Sequence, residues 1–241
     1  MGTLYIVSTP IGNIDDITIR AIKVLSSVNI IFAEDTRVTK KLLKLLNINT
    51  DNKSFISNYE FNEKKKVRDA ISYLREGNDI ALVTDAGTPL ISDPGFPLVR
   101  ELRNNYLRND ENGNIKIEII PGPSSVITAL AGSGFPTDKF TFLGYFPRKP
   151  SQKKTVLKNI RKSFNHIHST YIFFESGYRL LATLNMINEI LPQSRICLAR
   201  ELTKMHESFE IGFPKDLIMM ITQNKLNLKG EIVLLISLKK D

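Results

Sequence analysis

Short apolar runs alternate with amphipathic segments along this chain, and that alternation narrows the fold more than any other feature. Leu4-Tyr5-Ile6-Val7, Ile30-Ile31-Phe32-Ala33 and Ile80-Ala81-Leu82-Val83 read as buried strands, and Ile115 to Ile120 as another. Between them, Ile17 to Leu25, Thr36 to Leu46 and Glu63 to Arg75 carry apolar residues at helical spacing. Phe55-Ile56 reads as a short strand, and a helix runs from Pro94-Gly95 through Val99, Leu102 and Tyr106. Strand–helix alternation of this kind predicts a mostly parallel sheet with helices on both faces.

The pattern repeats after Pro121-Gly122-Pro123. Phe140 to Leu143, Tyr171 to Phe174, Ile196 to Ala199, Phe209 to Ile211 and Glu231 to Leu238 are strand-like. Lys153 to Phe164, Tyr178 to Leu191 and Pro214 to Ile221 are helical. The expectation is two α/β domains, residues 1–120 and 121–241, with a cleft between them.

Four loops at predicted strand ends have unusual chemistry. Asp85-Ala86-Gly87-Thr88-Pro89-Leu90-Ile91-Ser92-Asp93-Pro94-Gly95 concentrates glycines, prolines, hydroxyls and carboxylates directly after a strand. Glycine permits close approach of a ligand to the backbone, and proline stiffens what remains. Open α/β sheets bind ligands outside the carboxyl ends of their strands. Ser8-Thr9-Pro10-Ile11-Gly12-Asn13, Pro121-Gly122-Pro123-Ser124-Ser125 and Phe174-Glu175-Ser176-Gly177 are the companions. Ser124 and Ser125 have an ordinary reading as helix caps, and a second as ligands for a carboxylate or hydroxyl at a helix start. Four such loops together indicate one ligand site.

No Gly-x-Gly-x-x-Gly or P-loop follows the first strand, which argues against dinucleotide and nucleoside-triphosphate sites. His166, His168 and His206 lack companions at metal-ligand spacing, so no metal centre is expected. Cys197 is the one cysteine, in an apolar stretch that predicts core packing. No apolar run approaches the length of a membrane helix, and Met1 to Ile6 lacks the basic-then-apolar pattern of a secretory leader. A cytoplasmic protein is expected. Formal net charge is +8, which suits a polyanionic partner, although a Lys-, Ile- and Asn-rich genome would give the same balance. Arg148 and Lys149 with the helix bearing Lys153, Lys154, Lys158, Arg161 and Lys162 form a local basic cluster, readable as a phosphate-contacting face or as an ordinary solvated one.

Taken together, Tyr5 to Asn13, Ala33-Glu34-Asp35-Thr36-Arg37, Asp85 to Gly95, Pro121 to Ser124 and Ala199-Arg200-Glu201-Leu202-Thr203-Lys204 resemble the tetrapyrrole-methylase superfamily, and within it the branch that acts on ribosomal RNA. The resemblance runs over almost the whole chain. It implies S-adenosyl-L-methionine as cofactor, held near Pro10, Gly87, Thr88, Ile91, Ser124, Ser125 and Phe174. It implies methylation of the ribose 2′-hydroxyl of a decoding-centre cytidine in 16S ribosomal RNA, on naked RNA or on the assembled small subunit, by a homodimer. Glu201, Lys204 and Asp35 are then the candidates to orient or deprotonate the hydroxyl, and Arg37, Arg148, Lys149 and Arg200 the candidates to hold RNA. The resemblance departs at Gly177-Tyr178, where the branch carries Pro-His; a positional role suits that site better than proton transfer. The rival readings are a methyltransferase for a tetrapyrrole or other small substrate, and a non-catalytic RNA-binding assembly factor. Related small-substrate enzymes carry a Gly-x-Gly-Pro-Gly-Asp type first loop, which this chain lacks.

Overall fold

The computed structural model describes residues 1–59, 61–105, 115–164, 166–226 and 228–238. The polar stretch Asn109 to Asn114, expected as a surface loop, lies outside them, as does Tyr106. The chain divides into two compact units, Met1–Ser124 and Ser125–Asp241.

In the first unit, β1 (Thr3–Val7), β2 (Ile30–Ala33), β3 (Ser54–Ser57), β4 (Ile80–Val83) and β5 (Lys116–Ile120) form one sheet in the order β3-β2-β4-β1-β5. Every pair in it is parallel. Alternate residues of the strands supply two separate cores. Leu4, Ile6, Phe32, Ile80 and Leu82 pack on α3 (Glu63–Arg75) and α4 (Phe96–Asn105) through Ala70, Leu74, Leu98 and Leu102. Val7, Ile31, Ala33, Ala81 and Val83 pack on α1 (Ile19–Ser27) and α2 (Thr36–Leu45) through Ala21, Leu25 and Leu43. Each fully buried leucine contributes about 1.5–3 kcal/mol. The helix starts follow from the sequence: Thr18 caps α1 by accepting from the Ala21 N–H at 3.1 Å, and Asp35 caps α2 by accepting from the Arg37 N–H at 2.8 Å.

Right-handed crossovers then dictate the layering. From β1 the chain steps through β2 to β3 in one direction, with α1 and α2 on one face. From β3 it returns through β4 to β5 in the other direction, with α3 and α4 on the opposite face. Neighbouring strands β1 and β4 therefore send their carboxyl-end loops to opposite faces, the arrangement that opens a crevice in parallel sheets.

The second unit begins with α5 (Ser125–Gly132) and carries a sheet ordered β6-β7-β10-β8-β9. Its strands are β6 (Phe140–Tyr145), β7 (Thr170–Ser176), β8 (Arg195–Arg200), β9 (Ser208–Gly212) and β10 (Glu231–Ser237). The expectation of a mostly parallel sheet is corrected here: only β6 and β7 pair in parallel, and the other three pairs are antiparallel. The reason is topological. The crossover helix α7 (Gly177–Ile190) leaves a vacant position between β7 and β8, and the last strand fills it running the opposite way. The helices α6 (Pro150–Phe164), α7 and α8 (Pro214–Thr222) share one core with the sheet, built from Leu157, Leu184, Ile187, Leu198, Leu217 and Leu234 among others. Cys197 is buried in β8, and that burial pushes its thiol up to about 12. No helix among the described residues is long and apolar enough to cross a membrane.

Candidate functional site

The crevice between β1 and β4 is closed by reciprocal bonds between their loops. The Thr9 N–H donates to the Gly87 carbonyl at 2.9 Å, and the Gly87 N–H donates to the Thr9 carbonyl at 3.1 Å. Gly87 makes this turn at φ +90°, a conformation that side-chain-bearing residues adopt at a cost. Ser8 Oγ and Thr88 Oγ1 lie 3.1 Å apart, and Thr88 Oγ1 donates to the Pro123 carbonyl at 3.1 Å. Thr9 Oγ1 donates to the Thr84 carbonyl at 3.2 Å. The loops after β1, β4 and β5 thus form one knit surface. Of the residues predicted from sequence it unites Gly87 and Thr88, with Pro10 and Ser124 one bond removed along the chain.

The remainder of the loop after β4 is unusual in backbone as well as composition. Leu90 and Ser92 adopt φ values of +74° and +65°. Such conformations in bulky residues concentrate where a site constrains the chain. Ile91 stands between them and is 45% exposed. The loop is tied down at its far end, where the Gly95 N–H donates to Glu63 Oε2 at 2.7 Å.

Carboxylates converge beside it. Thr84 Oγ1 donates to Glu34 Oε2 at 2.6 Å, and the Asp35 N–H donates to Asp85 Oδ1 at 3.0 Å. Asp93 sits close by, hydrogen-bonded with Thr84. Burial pushes its carboxyl up to about 6; the Thr84 bond opposes that shift, and the charges of Glu34 and Asp85 add to it. Burial also raises Asp85. Asp35 behaves oppositely. Its carboxylate is forked by the Arg37 guanidinium, with bonds of 2.6 and 3.0 Å, and this holds it down at about 2. Arg37 is otherwise solvent-exposed and is raised by the same pairing.

In the second unit the expected loop Phe174-Glu175-Ser176-Gly177 is not a loop. Phe174 to Ser176 complete β7, and Gly177 starts α7 directly. Phe174 is half-buried under an aromatic cluster, 5.0 Å from the Phe142 ring and 5.3 Å from that of Tyr145. Glu175 turns inward, its side chain wholly buried. It accepts from Arg179 at 2.7 Å, from Thr183 Oγ1 at 2.7 Å and from the Ser176 N–H at 2.7 Å. Lys153 Nζ donates to Thr183 Oγ1 at 2.6 Å. Lys153, placed by sequence among phosphate-contacting residues, is therefore corrected: only 4% of it is exposed, and burial lowers its pKa. Arg179 and Thr183 lie one turn apart on α7 and so face the Glu175 side chain at the end of β7 together, a spacing visible in the sequence; Lys153 had no such signal.

Glu201 and Lys204 do come together. Lys204 Nζ donates to Glu201 Oε1 at 3.1 Å and to Glu231 Oε2 at 2.9 Å. The Glu231 N–H donates to Glu201 Oε1 at 2.9 Å, while the Glu201 N–H donates to the Glu231 carbonyl at 3.0 Å. The Glu231 amide, then the Lys204 ammonium, hold the Glu201 carboxyl below its ordinary range; burial acts to lower Lys204, but the two carboxylates together outweigh it and raise it. Glu201 itself stands at φ +50°. Gly230 is part of the same clasp: at φ +98°, any Cβ there would run into the Glu201 carboxylate. Arg200 is committed to the backbone, donating to the carbonyls of His206 at 2.8 Å and Lys229 at 3.2 Å and to Ser208 Oγ at 3.3 Å. Arg148, Lys149 and the Tyr178 side chain are exposed, and Ser125 opens α5 half-buried.

Comparison with known proteins gives these features a lineage. Residues 3–217 match the family described as Tetrapyrrole (Corrin/Porphyrin) Methylases. Over 234 residues the chain is 47% identical to "Ribosomal RNA small subunit methyltransferase I" of Hydrogenobaculum sp. (strain Y04AAS1), covering 97% of this chain and 95% of that one. The methyltransferase CobJ shares the fold at TM-score 0.69 and 18% identity, over 98% of this chain and 94% of that one. A uroporphyrin-III C-methyltransferase from Thermus thermophilus, solved with S-adenosylhomocysteine, superposes at TM-score 0.61 and 12% identity, over 98% and 97% of the two chains.

Proposed function

Because the chain belongs to the tetrapyrrole (corrin/porphyrin) methylase family, and within it to the ribosomal RNA small subunit methyltransferase I group, we propose that it methylates the ribose 2′-hydroxyl of a decoding-centre cytidine in 16S ribosomal RNA, with S-adenosyl-L-methionine as donor. The observation that carries this reading is the 47% identity over 97% of the chain. A cytoplasmic homodimer acting on the free RNA or on the assembled small subunit completes it.

The residues present suit the cofactor. Its ammonium and ribose hydroxyls need acceptors, which Asp85, Glu34 and the knit carbonyls provide. Its carboxylate needs donors, which Ser124 and Ser125 provide. Its adenine needs apolar surface, for which Ile91 of the first unit or Phe174 of the second is the candidate, with Pro10, Gly87 and Thr88 framing the backbone approach. S-adenosylmethionine, once bound, supplies a methyl group made electrophilic by its sulfonium.

The protein's task is then mainly alignment, worth roughly 7–11 kcal/mol in favourable cases. Glu201, or Asp35 of the first unit as the alternative, is held charged and accepts the ribose hydroxyl's proton as the oxygen takes the methyl group, and Lys204 stabilises the negative charge that grows on that oxygen as the proton leaves. Arg37, Arg148 and Lys149 are assigned to the RNA, whereas Arg200, expected beside them, is assigned to holding the segment that carries Glu201 and Lys204. The test is methyl transfer to small-subunit RNA, both free and within assembled small subunits, from a strain lacking the protein, with the labelled nucleotide mapped. Label confined to one decoding-centre ribose supports the reading; a chain that binds the cofactor and labels no RNA overturns it. Glu201→Gln and Lys204→Ala with intact cofactor binding and wild-type rates would overturn the residue assignment.

A further inference from the structure

In the first unit, α3 and α4 enclose a groove of about 590 Å³. Lys64, Arg68 and Arg75 line it from α3, Arg100 from α4, and Glu101 is the one carboxylate in its lining. The three α3 cations fall on a single stripe of the helix, above a floor that includes Val67 and Ile71. We infer that this groove binds the sugar-phosphate backbone of an RNA strand, as an extension of the proposed rRNA site and resting on that reading.

Four features support an RNA backbone over other occupants. The cations are exposed at the rim while the floor is apolar, which suits phosphates outside and ribose or base within. Arg68 and Arg100 offer guanidinium forks that match phosphate oxygens in pairs. Lys64 to Arg75 spans roughly 16 Å of helix, enough for several successive phosphates. Finally, the groove is tied to the candidate site. Its upper end begins at Lys64 and Pro97, and the neighbouring Glu63 accepts from Gly95, the last residue of the loop after β4. A strand lying in the groove leads towards that loop.

The experiment compares three proteins for binding a small-subunit RNA fragment over a salt series. In the first, Lys64, Arg68 and Arg100 are all changed to Gln. In the second, Lys23, Lys41 and Lys44 on the opposite helices are changed to Gln, removing equal charge. The third is Glu101→Gln. The groove variant should bind at least about tenfold more weakly, and its salt dependence should flatten by about 2, from three contacts at ~0.7 each. The control should change far less, and Glu101→Gln should bind more tightly, which misfolding cannot produce. Cofactor affinity, and kcat at saturating RNA, should match wild type in the groove variant. A groove variant indistinguishable from the control overturns the inference, as does polyglutamate competing as well as RNA of equal charge. Because the readout is binding, it separates the two readings. Absent methylation with groove-dependent binding sinks only the proposed activity; methylation with groove-independent binding sinks only the groove.

Discussion

Thr9 and Gly87 exchange two backbone hydrogen bonds, at 2.9 and 3.1 Å, and so join the loops of two neighbouring strands that leave the sheet towards opposite faces. This bridge fixes the crevice that the parallel topology creates, and it depends on a residue without a side chain at φ +90°. Gly87→Ala places a Cβ 3.4 Å from Ile11 Cγ2 in a backbone conformation that alanine resists. The expected loss is about 1–3 kcal/mol of stability. Cofactor affinity should fall as well, since Gly87 and Thr88 frame the proposed approach. Urea denaturation and calorimetric titration with S-adenosylmethionine check both parts.

The buried network of the second unit should be far less tolerant than any surface pair. Glu175 satisfies Arg179, Thr183 and the Ser176 amide at once. Glu175→Ala leaves a cation in a poorly solvated place without its partner, which costs roughly 3–5 kcal/mol. Removing Lys66, whose partner Asp69 is half exposed to solvent, should change stability by less than about 1 kcal/mol. Denaturant midpoints of the two variants measure the contrast.

Much of this molecule was legible in the sequence because its signals are local. Ile80 to Val83 and Glu63 to Arg75 are the strand and helix that periodicity predicts, to the residue. The Gly87 and Thr88 loop was visible because turn chemistry is written in adjacent residues. What periodicity does not encode is which strands become neighbours. Glu231 to Leu238 reads as a strand from its own residues, but its insertion between β7 and β8 depends on the vacancy left by a distant crossover. Lys153 was misplaced for the same reason: a lysine on a basic helix looks solvated until Thr183, thirty residues away, is seen to receive it. Glu201 and Lys204 were legible as charged residues following a strand, whereas the hydrogen bonds that tie them to Glu231, 30 residues on from Glu201, were not.

Asp93 gives the first unit a pH signature. Its carboxyl is pushed up to about 6 from an ordinary 3.8, chiefly by burial. Between about pH 4 and pH 6 the folded protein retains a proton that the unfolded chain has released. Stability therefore falls as pH rises through that window and is independent of this group above it. The change is roughly 1–3 kcal/mol, reduced by the partial exposure of the site. Asp93→Asn should flatten the urea midpoint against pH between 4 and 6 and raise stability at pH 7. An unchanged profile would remove Asp93 as its source.

The Glu201 clasp makes a prediction about geometry that leaves charge untouched. Gly230→Ala retains every ionisable group but drives a methyl into the Glu201 carboxylate. If Glu201 and Lys204 align the ribose hydroxyl, displacement of about 1 Å lowers kcat by about 10²-fold with cofactor affinity retained. Single-turnover methyl transfer with saturating RNA isolates that step.

The basic residues expected from sequence to hold RNA should separate into two kinds by salt dependence. Arg148 and Lys149 are exposed, so replacing both with Ala should weaken RNA binding and reduce the salt slope by about 1.4, two contacts at ~0.7 each. Arg200 is exposed in part, but its guanidinium already holds two carbonyls and a hydroxyl around the connection between β8 and β9. Arg200→Ala should therefore cost roughly 1–3 kcal/mol of stability, from acceptors left without their charged donor. Its effect on RNA binding should arise through the displaced Glu201–Lys204 segment, with the salt slope nearly unchanged. A slope reduced by ~0.7 in Arg200→Ala, with stability intact, would instead place its guanidinium on a phosphate.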